Sequence, residues 1–424
     1  MNAAPALRTT GLHDRVLALL PHHALDLARL RALANAPALP VIAVVGKYNQ
    51  GKSRLLNELC GADPFAVADH RQTLCVTHHD GGGMRWMDAP GLDADVAGED
   101  DRHAAHATWI GADIRLLVHS AREGELDGAE LSLLQALLAD DVATARHTLL
   151  VLTQIDQVAD ATTLQGIQAR IAGQLADVPL HAVSAVRHRK GLDGGKTLLV
   201  TASGIPALMH TLQALGTGVA AARASETTQR LQRLSEALSA VVATRTQALA
   251  DCNTLLSQAR AAFLHGLQAL FTQAAEEIDA LDADEAALAL QPDTHAQRYI
   301  MTEAKRARTK QQLVYSRINL RLSAYLTGHA VQMHLPNPGA MPAGLNSVMV
   351  AVLGVAVKYR AELRRMFCEE AGVQRLQRAF TAYYDTSEAR LQALADAAAC
   401  ADALHDAEQT LALLRSTGTG GLVA

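Results

Sequence analysis

One stretch, "GKYNQGKS" from Gly46 to Ser53, constrains the fold of this chain more than any other. It follows the apolar run "LPVIAV" and precedes "RLLNEL", so the pattern predicts a strand, a tight loop and a helix. G-x-x-x-x-G-K-S in that setting is typical of a loop whose backbone N–H groups surround phosphate oxygens at a helix N-terminus. The alternative is a chance glycine-rich turn, and the flanking strand and helix weigh against it.

Each residue type in such a loop has a defined part. Lys52 is expected to reach the β- and γ-phosphates, and the Ser53 hydroxyl is expected to ligate Mg²⁺. The two glycines allow backbone conformations and close approaches that a Cβ would obstruct. The expected phosphate-binding residues are Gly46, Asn49, Gln50, Gly51, Lys52, Ser53 and Arg54.

Short apolar runs alternate with helical stretches from residue 41 to about residue 215. The predicted strands are "VIAVV", "RWMDAP", "IRLLVHS", "HTLLVLTQ" and "VPLHAVSA", with "LCVTHH" as an added edge strand. Strands separated by helices indicate a mainly parallel sheet with helices on both faces. The predicted fold class of this part is therefore α/β.

Three four-residue motifs stand at the ends of these strands. "DAPG" (88–91) would place Asp88 beside the metal ion and the Gly91 N–H near the γ-phosphate. In "TQID" (153–156), Asp156 can accept hydrogen bonds from guanine N1–H and N2–H₂, two donors that adenine does not present. In "VSAV" (183–186), the Ala185 N–H can bond the guanine carbonyl. Each motif alone is weak evidence for a guanine-nucleotide site, but the three in this order, each at a strand end, are strong evidence together. The expected base-contacting residues are Thr153, Gln154, Asp156, Ser184 and Ala185.

With these motifs the chain resembles the GTP-binding proteins of the translation-factor-related class over roughly residues 41 to 215. The stretch "GKYNQGKSRLLNEL" is similar to Era-like and dynamin-like members. The resemblance implies Mg²⁺-dependent hydrolysis of GTP to GDP by in-line attack of water. It also implies a threonine that ligates Mg²⁺, for which "DHRQTLCVT" offers Thr73 first and Thr77 second. The residues expected to serve catalysis are Lys52, Thr73, Gly91 and Asn49.

Three positions bear on how closely the chain follows that class. Gln154 stands where a lysine usually covers the purine face, so we expect guanine specificity with weaker affinity. Tyr48 stands where dynamins proper carry a catalytic polar residue, and it cannot position a water as an amide would. In relatives with an asparagine at the place of Asn49, that residue helps to hold K⁺ against the phosphates. The alternative, that Asn49 only bonds its own loop, is left open.

Composition indicates where the chain works. It has 424 residues, 49% of them hydrophobic, and a net charge of −5, which gives no nucleic-acid signature. The five cysteines form no C-x-x-C pair, and the N-terminus lacks the apolar core of a signal peptide. We therefore expect a cytoplasmic protein without a disulfide framework. The pairs His78–His79 and His103/His106 could be drawn into a metal site, but solvated positions are favoured because no third ligand stands nearby.

The remainder of the chain predicts long helices. Residues 12–34 predict an amphipathic helix that restarts at Pro21, and residues 219–291 contain no proline and a single glycine, Gly266. That stretch predicts one long helix, or two with a break near Gly266, and residues 373–415 repeat the texture. The arrangement resembles bacterial dynamin-like proteins. We expect an N-terminal helix (1–36) packed on the helical domain, a GTPase domain (37–215) and an all-α elongated stalk or bundle (216–424).

Residues 322–357 contain no Asp, Glu, Lys or Arg, whereas basic residues lie on both sides. The segment predicts either a hairpin tip that dips into an anionic membrane, on the inner face, or a helix buried within the bundle; the buried helix is favoured. Two functions follow. The first is a dynamin-like GTPase that forms a homodimer or larger homo-oligomer through its GTPase face, with a membrane as a further partner. The alternative is an Era-like switch that acts on a protein or ribosomal partner.

Overall fold

The structure, a computed structural model, describes residues 11–65, 77–88, 106–174, 178–292, 301–331, 345–354 and 359–423. Backbone contacts divide the chain into two compact units. The first unit comprises Met1–Val241 and Ala407–Ala424, and the second comprises Val242–Asp406. The domain boundaries expected at residues 36/37 and 215/216 stay a prediction.

The first unit is built on a six-stranded sheet in the order β2-β3-β1-β4-β5-β6. All neighbouring strands are parallel except the hairpin formed by β2 and β3. The strands are β1 Val41–Val45, β2 Thr77–Gly81, β3 Met84–Asp88, β4 Ile114–Ser120, β5 His147–Thr153 and β6 Leu180–Ala182. The predicted α/β fold with an added edge strand is confirmed, and the structure shows this strand, β2, to be antiparallel to β3. Residues 74–76 of the predicted edge strand lie outside the described residues.

Helices cover both faces of this sheet because alternate strand residues point to opposite sides. On one face Ile42, Val44 and Leu116 pack against the helices that carry Leu55 and Leu212. On the other face Val41, Ala43 and Leu117 pack against the helices that carry Leu134 and Ile167. The helices after β1 are α3 Lys52–Cys60, α4 Gly128–Thr144, α5 Ala161–Gln174, α6 Ala185–Asp193, α7 Thr197–Ala202 and α8 Ile205–Gly216.

The N-terminal residues form two helices, α1 Leu12–Leu19 and α2 Ala24–Ala34, with a short 3₁₀ turn that begins at Pro21. The predicted restart at this proline is confirmed. α2 contributes a buried arginine, Arg29, which donates to Glu226 at 2.8 Å and to the Ile110 carbonyl at 2.7 Å. This ion pair between Arg29 and Glu226 links α2 to the start of the long helix within the first unit.

Of the stretch 219–291, residues Val219–Asp279 form a single helix, α9, with 61 residues. The prediction of one helix to residue 291 is wrong beyond that point, because residues 280–282 leave the helix and a separate short helix begins at Ala283. The alternative of a break near Gly266 is wrong. A Cβ at Gly266 would overlap the Tyr325 ring, whose Cζ atom would lie 2.7 Å away. The Tyr325 hydroxyl also donates to the Phe263 carbonyl at 2.9 Å. This glycine therefore makes room for a ring from a neighbouring helix and does not interrupt its own.

The second unit is helical around one apolar core that includes Phe263, Phe271, Leu322, Phe380 and Tyr384. The stripe predicted over residues 373–415 is divided between two helices that are separated at Thr386 and Ser387. Beyond α9 the helices are α10 Ala283–Leu288, α11 Glu303–Gly328, α12 Leu345–Leu353, α13 Arg360–Phe367, α14 Glu370–Asp385, α15 Glu388–Thr417 and, back in the first unit, α16 Thr419–Val423.

The described part of the charge-free segment 322–357 packs inside this core. Val348 is fully buried, and Val352 and Leu353 are each 6% exposed, whereas Val350 is 50% exposed. Burial of Val348, Val352 and Leu353 contributes about 1.5–3 kcal/mol each to the stability of the fold. For these residues the buried-helix alternative is the one observed; residues 332–344 and 355–358 lie outside the described part. Among the described helices, none is long and apolar enough to cross a membrane.

Candidate functional site

The G-x-x-x-x-G-K-S loop connects β1 to α3 at the carboxyl edge of the sheet. Gly46 has a φ of 149°, and a Cβ there would lie 2.5 Å from the Val118 carbonyl oxygen, so only glycine fits. Gly51 has a φ of 84° and stands immediately before α3. Lys52 is 9% exposed, and its Nζ donates to the Lys47 carbonyl at 2.7 Å, so the ammonium group lies folded over the loop. Arg54 lies in the first turn of α3 with its side chain exposed.

Gln50 anchors the loop from behind. Its side chain is fully buried; Oε1 accepts from Lys47 N at 2.8 Å, and Nε2 donates to Glu130 Oε1 at 2.6 Å. Glu130 also accepts from Asp127 N at 3.1 Å in the capping box of α4 and lies 3.0 Å from His119 Nδ1. The Gln50 amide is thus directed at α4, and only its backbone faces the cradle that the sequence predicts.

Glu130 and His119 were not anticipated from the sequence. The stretch "DGAE" (127–130) has the D-x-x-E spacing of a capping box and locates Glu130 at the start of a helix. Burial lowers the pKa of His119, but the hydrogen bond and charge of Glu130 outweigh it, and the pKa is raised. Burial raises the pKa of Glu130, but His119, Gln50 and Lys47 outweigh it, and the pKa is lowered. The two groups therefore form a buried ion pair behind the loop.

Ser53 and Asp88 meet where a metal ion is expected. Ser53 Oγ donates to Asp88 Oδ2 at 2.8 Å, while Oδ1, buried like the rest of this 2%-exposed carboxylate, has no partner among the described residues. Burial raises the pKa of Asp88, against the opposing effects of the Ser53 hydrogen bond and the Lys52 charge. A buried carboxylate with an unsatisfied oxygen beside a hydroxyl suits a hard cation such as Mg²⁺. Thr73 and Gly91 lie outside the described residues.

Thr153 and Gln154, the first two residues of "TQID", connect the end of β5 to the phosphate-binding loop by hydrogen bonds. Thr153 Oγ1 donates to the Gln50 carbonyl at 2.6 Å, and Gln154 Nε2 donates to the Asn49 carbonyl at 3.0 Å. Gln154 Oε1 accepts from Ser120 Oγ at 2.9 Å. Both Asn49 and Gln154 have a left-handed backbone, with φ values of 60° and 55°. The Gln154 amide is therefore held by the loop itself, which the sequence did not anticipate.

Asp156 and Ser184 bring the last two motifs together. Ser184 Oγ donates to Asp156 Oδ1 at 2.6 Å and accepts from Arg187 N at 2.9 Å, so it also caps α6. Ala185 is the first residue of α6, where backbone N–H groups have no partner within the helix. The Asp156 carboxylate thus lies beside Ser184, the residue that directly precedes this N–H donor.

Two further positions complete the account. Tyr48 is half-buried, and its hydroxyl has no partner in the part of the chain that the structure describes. His78 and His79 lie on the edge strand β2, His78 exposed and His79 with its ring edge-on to Phe65 at 6.3 Å. Residue 103 and the side chain of residue 106 lie outside what the structure describes.

Comparison with known proteins identifies the chain. Residues 41–154 match the family model described as 50S ribosome-binding GTPase. An uncharacterised protein of Acinetobacter baylyi is 43% identical over 379 residues, which cover 89% of this chain and 90% of that protein. This chain belongs to the same family. Its first unit contains a P-loop GTPase domain, as the resemblance implied.

Other relatives of the P-loop GTPase domain cover less of the chain. GTPase Era of Xanthomonas campestris pv. campestris is 31% identical over 160 residues, 36% of this chain and 51% of Era. Era of Aquifex aeolicus bound to GDP.AlF4- matches 38% of this chain and 55% of its own, at 20% identity and a TM-score of 0.31. A structure described as an oligomerised bacterial dynamin pair matches 91% of this chain and 90% of its own, at 10% identity and a TM-score of 0.43. These two structures are similar in fold alone.

Proposed function

We propose that this P-loop GTPase binds GTP with Mg²⁺ and hydrolyses it to GDP at the carboxyl edge of the sheet. The observation that carries the proposal is the Ser184–Asp156 pair, 2.6 Å apart, on the same sheet edge as the loop. Thr153 links the two because it precedes the "QID" segment and donates to the loop at Gln50. A phosphate cradle and a guanine acceptor are thus joined by the backbone of β5.

The residues of this chain would divide the work as follows. Backbone N–H groups at the start of α3 would donate to the phosphate oxygens, and Lys52 would exchange the Lys47 carbonyl for the β- and γ-phosphates. Ser53 and Asp88 would hold Mg²⁺, which when bound supplies positive charge against the phosphates. As the sequence predicts, Thr73 would ligate the metal ion and the Gly91 N–H would lie near the γ-phosphate. A water attacks in line, without a covalent intermediate.

Nucleotide titration tests this proposal. Labelled GTP and ATP analogues are titrated in Mg²⁺, and we expect GTP to bind at least about 100-fold more tightly because adenine offers Asp156 no donors. Lys52→Ala should abolish tight triphosphate binding while the circular dichroism spectrum stays unchanged. Equal affinity for the two nucleotides would refute guanine recognition.

Binding of K⁺ near Asn49 stays a prediction. GTPase rates should be higher in KCl than in matched NaCl, and Asn49→Ala should remove the difference.

We further propose that nucleotide state controls association between copies through the GTPase face. Tyr48 supports this, because a phenol at this place in the loop cannot position the attacking water as an amide would. A second copy would then complete the site at Thr73 and Gly91. The alternative, an Era-like switch on a ribosomal or protein partner, is supported by the match to Era over 36% of the chain.

A membrane contact has support at a different place from the segment 322–357. On α11, Leu313 is 57% exposed and Leu320 is 70% exposed. The exposed Arg306 and Arg317 lie on the same helical face, at spacings of three, four and seven residues. Exposed leucines and arginines on one helical face suit an anionic lipid surface. We propose α11 as that contact.

A further inference from the structure

Two cysteines of the second unit face each other across a helix pair. Cys252 lies on α9 and Cys400 on α15, 148 positions apart in the chain, and their sulfur atoms are 3.9 Å apart. Both thiols are half-buried. They are two of the four cysteines that the structure describes, and they come from helices that run antiparallel.

Hydrogen bonds on both sides fix the register of this pair. The Arg245 guanidinium donates to the Ala403 carbonyl on one side, and Arg390 Nη1 donates to the Leu256 carbonyl at 2.7 Å on the other. The sulfur atoms are therefore held opposite each other by the backbone. A disulfide needs them about 2.05 Å apart, so the two sulfur atoms must move towards each other for the bond to form.

A cavity of about 470 Å³ is lined by one of the two cysteines, Cys252. Its walls include Cys252, Leu255, Tyr384, Arg390 and Asp396. Apolar walls with one guanidinium and one carboxylate at hand suit a small zwitterionic peptide. A reagent in the cavity would therefore meet Cys252 first.

We propose that Cys252 and Cys400 are a modification site, at which a low-molecular-weight disulfide such as oxidised glutathione converts them to an intramolecular disulfide. The Cys252 thiolate attacks one sulfur of the glutathione disulfide, forming a mixed disulfide and releasing one glutathione thiolate. The Cys400 thiolate then attacks Cys252 Sγ, the protein S–S bond forms and the second glutathione thiolate leaves. The protein loses two protons and two electrons, and the glutathione disulfide is reduced.

The surrounding charges set the pace of this exchange. The hydrogen bond to Cys400 raises the pKa of Cys252, and the carboxylates of Asp251 and Asp396 raise it further. Since only the thiolate attacks, the exchange accelerates as pH rises. In a reducing glutathione pool the pair stays as thiols, and it closes when the pool is oxidised. The cross-link would then fix α9 to α15 in the second unit.

The experiment uses the full chain, reduced and desalted, with oxidised glutathione at pH 8. Free thiols fall by two per molecule, and peptide mapping after alkylation finds Cys252 joined to Cys400. Cys252→Ser and Cys400→Ser each stop at a single glutathione adduct on the remaining partner. Cys60→Ser is the matched control and leaves the loss of two thiols unchanged, because burial raises the pKa of Cys60 to about 12.

A second readout follows the cross-link itself. Oxidation should raise the thermal midpoint of the wild-type protein by on the order of 10 °C, since the bond closes a long loop. Neither serine variant should show the shift. Glutathione adducts on both cysteines of the wild type, or disulfides between molecules in their place, would overturn the proposal.

Discussion

Ser184 Oγ donates to Asp156 Oδ1 at 2.6 Å, and the same hydroxyl caps α6 by accepting from Arg187 N. One side chain thus contacts the carboxylate proposed to recognise guanine and also caps the helix whose first N–H is proposed to bond the same base. The two motifs are 28 positions apart in the chain, and parallel strands bring them to one edge. Base recognition is therefore proposed to depend on this serine as well as on the aspartate.

The Asp156→Asn variant tests base recognition directly. Exchanging an acceptor for a donor should weaken GTP by about 100-fold or more and strengthen xanthosine triphosphate, whose ring carbonyl pairs with the new N–H. Ser184→Ala removes only the orienting hydrogen bond and should weaken GTP about tenfold. Affinities are measured by titration of fluorescent analogues. An Asp156→Asn protein that still preferred GTP to xanthosine triphosphate would show that another group reads the base.

The buried pair His119–Glu130 should make stability depend on pH. The pKa of His119 is raised from 6.5, so its contribution is complete below pH 6.5 and lost as pH rises through the higher folded value. The pKa of Glu130 is lowered from 4.5, so its contribution is complete above pH 4.5 and lost as pH falls through the lower folded value. Both contributions are complete between these two values.

Urea unfolding of wild type and His119→Gln across a pH series measures this effect. The difference in unfolding free energy should be largest between pH 4.5 and 6.5 and should shrink on the alkaline side. Gln50→Leu is a useful companion, since it removes the hydrogen bond from the Gln50 amide to Glu130. It should weaken GTP binding and raise the pKa of Glu130, so that the contribution of Glu130 is lost at a higher pH than in the wild type. A difference that stays constant with pH would argue against an ion pair.

Glu226 should be a determinant of stability in the first unit. It is 1% exposed and lies against Arg29 at 2.8 Å, Arg230 at 2.8 Å and Arg146 at 3.7 Å. Burial lowers the pKa of Arg146 to about 10, and the nearby Arg29 adds to this effect. Glu226→Gln leaves these arginines without their shared counter-charge and should cost about 3–5 kcal/mol of unfolding free energy. The exposed Glu236→Gln on the same helix should change it by less than about 0.5 kcal/mol.

The sequence predicts those parts of the site that follow from local pattern. The loop at Gly46–Ser53 and the strand ends at Asp88 and Asp156 each carry a short motif after an apolar run, and parallel strands place their carboxyl ends together. The Gln50–Glu130 contact spans 80 positions and has no comparable local pattern. Gly266 shows how a local pattern can mislead. From the sequence alone a glycine suggests a break in the helix, whereas in the structure this glycine makes room for the Tyr325 ring. Contacts of this kind depend on which elements the fold brings together.

Association through the GTPase face should appear in the kinetics. If a second copy completes the site near Tyr48, GTPase activity per molecule should rise with protein concentration across the micromolar range. The measurement is phosphate release at several protein concentrations with GTP in excess, alongside light scattering with GTP and with GDP. Activity per molecule that stays flat while the protein remains monomeric would contradict the proposal.

The membrane proposal is tested by contrasting the exposed face of α11 with buried α12. Each leucine that enters the acyl boundary contributes at most about 1.5–3 kcal/mol, and each arginine at anionic headgroups adds about 1 kcal/mol that salt removes. The wild type should float with anionic liposomes, less so in high salt. The double variant Leu313→Asp with Leu320→Asp should stay folded, because both positions are exposed, and should no longer float. Val352→Asp places an unpaired carboxylate in the core and should unfold the second unit.

A folded double variant that floats with liposomes as well as the wild type would exclude α11 as the membrane contact. A wild type that does not float would favour the Era-like alternative.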